Sequence, residues 1–286
     1  MEFVDLTEEH PARRALGDLA ELHDEKIDIV AGSLLIAAED LGLDEEDLEC
    51  CIGRLDDISR QVGGLLPDDP EPADRLASLH SVLFGELDLS GDDVDIDDPG
   101  SFMLPVVVER RRGLPISLAV MYIAVAERCG LRASGVAFPG HFLARCDIDD
   151  GMVLVDPFNG GRTLDVGDCR ELLAATSGEE EEFDMSLLQS ASPRSVLTTL
   201  LAGLRGSYLR RSDDGRALLA HERMVLLNPT SIVLLRGRAS LYWRLGRPDR
   251  ALRDLEKVLS LDPYPDEAAQ VSLAIKRLRT EKPWVN

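Results

Sequence analysis

No stretch of the 286 residues reaches the roughly 18 consecutive apolar residues that a membrane-spanning helix needs. The apolar run from Leu114 to Ala126 is too short and lies mid-chain, so no membrane partner is expected. The start, MEFVDLTEEHPARR, has no basic residue leading into an apolar core. It does not read as a secretory signal, and a cytoplasmic location is the expectation. Cysteine is scarce and odd in number: Cys50, Cys51, Cys129, Cys146 and Cys169, with no C-x-x-C pair. That argues against a disulfide framework and against structural zinc. The histidines, His10, His23, His80, His141 and His221, show no short ligand spacing, so neither a metal nor a cofactor is expected. Positive charge is scarce at the front of the chain. Residues 1–100 carry 29 acidic against 6 basic side chains, whereas residues 194–286 carry 10 against 17, within a net charge of −22. Such an acidic front disfavours general nucleic-acid binding. Two readings of the asymmetry stand: a solvated acidic surface, or an acidic N-terminal module docking on the basic C-terminal one.

What is present divides into three blocks. From Pro11 to about Ala77 apolar residues recur at helical spacing, with Ile27, Val30, Leu34, Leu35 and Ala38 on one face. Gly42 and Gly63-Gly64 read as helix stops. A further helix is expected over about 73–84, followed by an acidic loop, GELDLSGDDVDIDDPGSF, without periodicity. The middle block opens with a helix over 115–129 and continues into short strands at 134–137, 141–146 and 152–156. Asp149-Asp150-Gly151 reads as the hairpin turn between the last two. The stretch GEEEEFD at 178–184 reads as a solvated linker. In the last third Leu201, Tyr208, Ala217, Leu227 and Pro229 recur as Leu235, Tyr242, Ala251, Leu261 and Pro263, always 34 residues on. That is the tetratricopeptide period, and about 267–280 would be the helix closing the array.

One constellation carries chemistry. Ser117 stands in the first turn of the apolar helix, where backbone N–H groups favour developing negative charge. If the hairpin pairs Ile148 with Gly151, His141 and Asp156 become diagonal neighbours on one side of the sheet. A hydroxyl at a helix start with His and Asp on adjacent strands is the arrangement of an acyl-transfer triad. Each residue also has a plainer reading: Ser117 as a first-turn cap, His141 as a core histidine fixed by Asp156, and Asp156 as the start of an Asp-Pro turn. Arg110 to Arg112 read either as an anion-binding cluster or as ion-pair partners of the acidic front. Arg112 and Asn159 are the candidate binding residues.

The segments SFMLPVVVERRRGLPISLAVMYIAVAERCGL, FPGHFLARC and VLVDPFNGG resemble the SirB family over most of residues 75–270. The resemblance implies an α+β fold, mostly helical, in three parts. These are a helical N-terminal region over 1–100, a transglutaminase-like (papain-like) core over 101–185 and tetratricopeptide repeats over 194–286. The acidic loop Gly91–Asp98 departs from the Gly/Asn-rich segment expected there. In active transglutaminase-like enzymes this helix begins with a cysteine, and Ser117 stands in its place. A thiol can be drawn to a thiolate by a helix start and a charged histidine, whereas a serine hydroxyl needs a general base and an oxyanion hole. The leading expectation is therefore a non-catalytic module that binds or scaffolds a polypeptide through the core pocket and the repeats. The alternative is a hydrolase or acyltransferase with Ser117 as nucleophile, His141 as base and Asp156 orienting it.

Overall fold

A computed structural model describes residues 10–91, 95–148, 151–177, 182–261 and 264–280. The expected turn at Asp149-Asp150, part of the acidic loop (92–94), part of the linker (178–181) and Pro263 lie outside the described residues. The chain groups into two compact units, divided after Leu200.

The first unit opens with helices α1 (Pro11–Ala20), α2 (Ile29–Leu41), α3 (Glu45–Gly63) and α4 (Pro72–His80). Local chemistry sets their ends. The Asp28 carboxylate accepts the Val30 and Ala31 N–H groups ahead of α2, and Asp44 and Asp47 form a reciprocal capping box at α3. The helix expected over 73–84 is not uniform: after His80 it widens into a π turn, Ser81–Glu86. The acidic loop is not without structure either. It carries the short strand β1 (Ser90–Gly91), which pairs in parallel with β2 (Arg112–Gly113) beyond helix α5 (Leu104–Arg110).

Helix α6 (Pro115–Arg128) is the centre of this unit, with every residue from Ile116 to Ala126 buried. A helix apolar on all sides must be enclosed, and each large side chain so buried contributes roughly 1.5–3 kcal/mol. Beside it lies an antiparallel sheet in the order β3 (Arg132–Phe138), β4 (His141–Ile148), β5 (Gly151–Asp156), β6 (Arg162–Leu164). The strands exceed the expected ones at their ends, and β6 adds a fourth. The register pairs Val136 with Leu143, Ala144 with Val155 and Ile148 with Gly151. One face, bearing Val136, Phe138, Leu143 and Leu154, packs on Cys169 and Leu173 of α7 (Val166–Ser177) and on Leu188. The opposite face, bearing Phe142, Ala144 and Cys146, meets α6, where the Tyr122 hydroxyl lies 3.5 Å from Cys146 Sγ. The start of α8 (Pro193–Arg210) belongs to this unit; Arg194 pairs with Asp24 at 2.6 Å.

In the second unit the end of α8 pairs with α9 (Asp214–Leu227), α10 (Ile232–Arg244) with α11 (Pro248–Ser260), and α12 (Pro265–Thr280) follows. The 34-residue period is visible in the contacts themselves. Arg216 lies over the Tyr208 ring at 5.8 Å, and Arg250 over the Tyr242 ring at 5.7 Å. The left-handed turn residues Ser212 (φ 59°) and Gly246 (φ 68°) are also 34 apart. Ala217 and Ala251 are fully buried, where small side chains let paired helices approach.

Candidate functional site

Ser117 is the third residue of α6, after the N-cap Leu114 and Pro115. Its Oγ accepts the Leu114 N–H at 3.0 Å and donates to the Ser101 carbonyl at 2.6 Å. The Leu114 carbonyl is also 3.0 Å away, but a hydroxyl has one proton and the shorter contact takes it. This is the side-chain half of a capping box; leucine at the N-cap has no polar group to return the other half. The residue is 1 % exposed. A Cβ on Gly113 would come within 2.8 Å of the hydroxyl, so only glycine fits at position 113 without a shift.

The structure brings His141 and Asp156 together. His141 opens β4 and Asp156 ends β5; both lie on the face that bears Leu143 and Leu154, since side chains two apart share a face. His141 Nε2 is 3.0 Å from Asp156 Oδ1. Asp156, 2 % exposed, also accepts the backbone N–H groups of Phe158 and Asn159, and the Asn159 side chain donates to its Oδ2 at 2.7 Å. Burial raises its pKa, but the hydrogen bonds from His141 and Asn159 outweigh that and hold the carboxyl below its ordinary range. Asp156 is thus both the partner of His141 and the anchor of the turn that follows it.

Among the described residues no hydrogen bond joins the Ser117 hydroxyl to His141; its bonds are those to Leu114 and Ser101. Phe158 links His141 to the β1–β2 pair beside Ser117. Its ring meets His141 edge to face at 5.8 Å, and its carbonyl accepts the Gly91 N–H at 2.8 Å. Gly91 pairs with Gly113, the neighbour of Ser117. Sequence reasoning missed Phe158 and Ser101, because a ring contact and a loop carbonyl leave no residue pattern. A second polar chain was also missed. His80 Nε2 lies 2.9 Å from the Tyr122 hydroxyl, which continues to Cys146, and Phe84 of the π turn stacks on Tyr122 at 6.1 Å. Burial lowers the His80 pKa and raises that of Tyr122.

The other candidates are engaged in structure. Arg112 pairs with the Asp88 carboxylate at 2.6 Å, and Arg110 with Asp98 at 2.7 Å, so the basic run clasps the two ends of the acidic loop. Asn159, read as a binding residue, is spent on Asp156. Burial raises the thiols of Cys129, Cys146 and Cys169, and that of Cys51 to about 11, so none of the four is poised as a thiolate. Among the described residues no group of three His, Cys, Asp or Glu side chains is placed to hold a metal ion. No helix there is long and apolar enough to cross a membrane.

In the repeat unit a cavity of about 410 Å³ opens between α10 and α12. Ala239, Trp243, Leu273 and Leu278 give it an apolar wall, and Arg236 and Arg277 add cations. Trp243 is 37 % exposed and Leu273 52 %.

A family model described as the transglutaminase-like superfamily matches residues 50–202, and a tetratricopeptide-repeat model matches residues 204–279. A UPF0162 protein of Xylella fastidiosa (strain Temecula1) is 36 % identical over 253 residues, covering 86 % of this chain and 88 % of that protein. Protein SirB1 of Salmonella typhimurium is 26 % identical over 196 residues, covering 68 % and 71 % respectively. F-box only protein 21 of Pongo abelii is 28 % identical over 200 residues, which is 66 % of this chain but 31 % of that protein. A transglutaminase-like core followed by tetratricopeptide helices, at these identities, means that the chain belongs to the SirB-like UPF0162 family.

Proposed function

We propose that the protein is a polypeptide-binding module whose transglutaminase-like core serves as a scaffold without an acyl-transfer nucleophile. The observation that carries this reading is the state of Ser117. Its hydroxyl donates to the Ser101 carbonyl and accepts the Leu114 N–H, and the residue is 1 % exposed. A serine attacks only as a base removes its proton, and here the hydroxyl donates to a backbone carbonyl, which is no base. Two hydrogen bonds and the seal around them would have to break before any reaction could begin.

The binding role rests on the repeat unit. Exposed Trp243 and Leu273 border the cleft between α10 and α12, and an aromatic anchor beside an apolar wall is the composition of a binding hot spot. Five cysteines without a disulfide fit a reducing compartment, in line with a cytoplasmic protein. The test is selection of a displayed peptide library on the full chain, repeated with Trp243→Ser. Peptides that bind the parent and lose at least tenfold in affinity on the variant support the reading. Binders indifferent to Trp243, or none at all, refute it.

A hydrolase built on Ser117, His141 and Asp156 is the second reading. The 3.0 Å His141–Asp156 hydrogen bond favours it, since that pair is how a general base is oriented. The engagement of Ser117 weighs against it.

A further inference from the structure

His221, in the interior of α9, belongs to none of the groups described above. Its residue is 1 % exposed. Arg205 of α8 donates from Nη1 to ring Nδ1 at 3.1 Å, and ring Nε2 lies 2.8 Å from the Leu234 carbonyl of α10. An arginine has no acceptor and a carbonyl has no proton. The ring must therefore be the neutral tautomer with its proton on Nε2: Nδ1 receives and Nε2–H donates. The ring is packed tightly on the side of α10, where a Cβ on Gly237 would come within 2.5 Å of the ring carbon Cε1.

We propose that His221 is an acid-sensitive latch that ties α9 to α8 and α10 while neutral and releases them when protonated. A proton added at Nδ1 displaces the Arg205 hydrogen bond and sets a cation against a cation. The charged groups acting on the ring come from three elements: Arg205 on α8, Arg238 on α10 and Asp254 on α11. Only Asp254 favours the charged ring, and it is already held by Arg238 through two hydrogen bonds of 2.8 and 2.7 Å. Burial is the largest influence and disfavours the charge, so the ring's pKa falls from 6.5 to about 4, despite the opposing Leu234 hydrogen bond. The opened state binds the proton more tightly than the closed one. The latch is therefore intact above about pH 6.5 and weakens as pH falls toward the folded value. Opening becomes easier by up to about tenfold per pH unit in that window, and by about fortyfold in all between pH 6.5 and 4.5.

The experiment compares the full chain with His221→Gln, whose amide offers one acceptor and one donor but does not titrate. Amide exchange in α9 and α10 is followed at pH 6.5, 5.5 and 4.5 and corrected for intrinsic rates. The parent should lose about fortyfold more protection than the variant over this range; equal pH dependence overturns the latch. Nitrogen NMR of the His221 ring in the parent decides the matter if the variant does not fold. A neutral ring protonated on Nε2 at pH 5.5 is the expected result, and an imidazolium at pH 6 in the folded protein overturns it.

Discussion

Replacing Ser117 by Ala removes one hydroxyl, and its cost follows from the two bonds that hydroxyl makes. The Leu114 N–H loses its 3.0 Å acceptor and keeps only a 3.4 Å contact with the Ser101 carbonyl. The Ser101 carbonyl in turn loses its 2.6 Å donor. A lost helix cap costs about 1 kcal/mol, and a buried polar group left poorly paired costs about 1–3. Because the residual 3.4 Å contact softens the second contribution, the expected loss is about 2 kcal/mol. That corresponds to a roughly thirtyfold increase in opening at the start of α6. Amide exchange over residues 104–128 of the full chain reads this directly and does not require the two units to unfold as one. Ser117→Cys is the informative companion. Sulfur is larger and a weaker acceptor, and the space beside the hydroxyl is too narrow even for a Cβ on Gly113. The cysteine variant should be at least as destabilised as the alanine one. Unchanged protection in Ser117→Ala, or a cysteine variant more stable than the parent, would refute the capping role.

Asp156→Asn should cost about 3 kcal/mol at pH 7, since it weakens a buried hydrogen-bonded pair. The folded carboxyl is held below its ordinary value, so its contribution is present above about pH 4 and disappears as pH falls through the folded value. Thermal unfolding against pH should therefore show a flatter acid limb for the variant, and parallel limbs would count against the assignment. Ser212→Gly should stabilise the repeat unit by roughly 0.5–1 kcal/mol, because Ser212 has φ 59° where the next repeat already has Gly246. A lower melting temperature would contradict this. Gly237→Ala reverses the usual sign for a helix interior. Alanine ordinarily gains about 1 kcal/mol there, but the 2.5 Å approach to His221 should turn this into a loss of about 1–3 kcal/mol, measured by denaturant unfolding.

How far the sequence reveals this molecule depends on the range of each signal. The repeats are legible because Tyr208 and Tyr242, or Ala217 and Ala251, fill equivalent positions in successive helix pairs, and the period survives in sequence. The placement of His141 beside Asp156 follows from the two-residue alternation of a hairpin once Ile148 is paired with Gly151. Ser117 is different. Its decisive partner is a backbone carbonyl sixteen residues earlier, in an irregular segment, and a carbonyl is present at every residue. The π turn after His80 is equally silent, since a one-residue widening leaves the apolar spacing almost unchanged. Strand β6, three residues long after Gly160-Gly161, is too short to show alternation. Arg112 was legible as a charged residue, but not as the partner of Asp88, because the acidic loop offers many carboxylates and sequence does not say which one folds back.

A capping serine and a nucleophilic serine differ in reactivity, so the reactivity of Ser117 is the most direct measure of its role. The full chain would be incubated with a fluorophosphonate, which forms a covalent adduct with activated serines, and then examined by intact-mass and peptide mass spectrometry. The hydroxyl whose proton is held by the Ser101 carbonyl should remain unlabelled under conditions that fully label an authentic serine hydrolase. Stoichiometric labelling of Ser117 that disappears in His141→Ala would contradict the account and establish the triad instead.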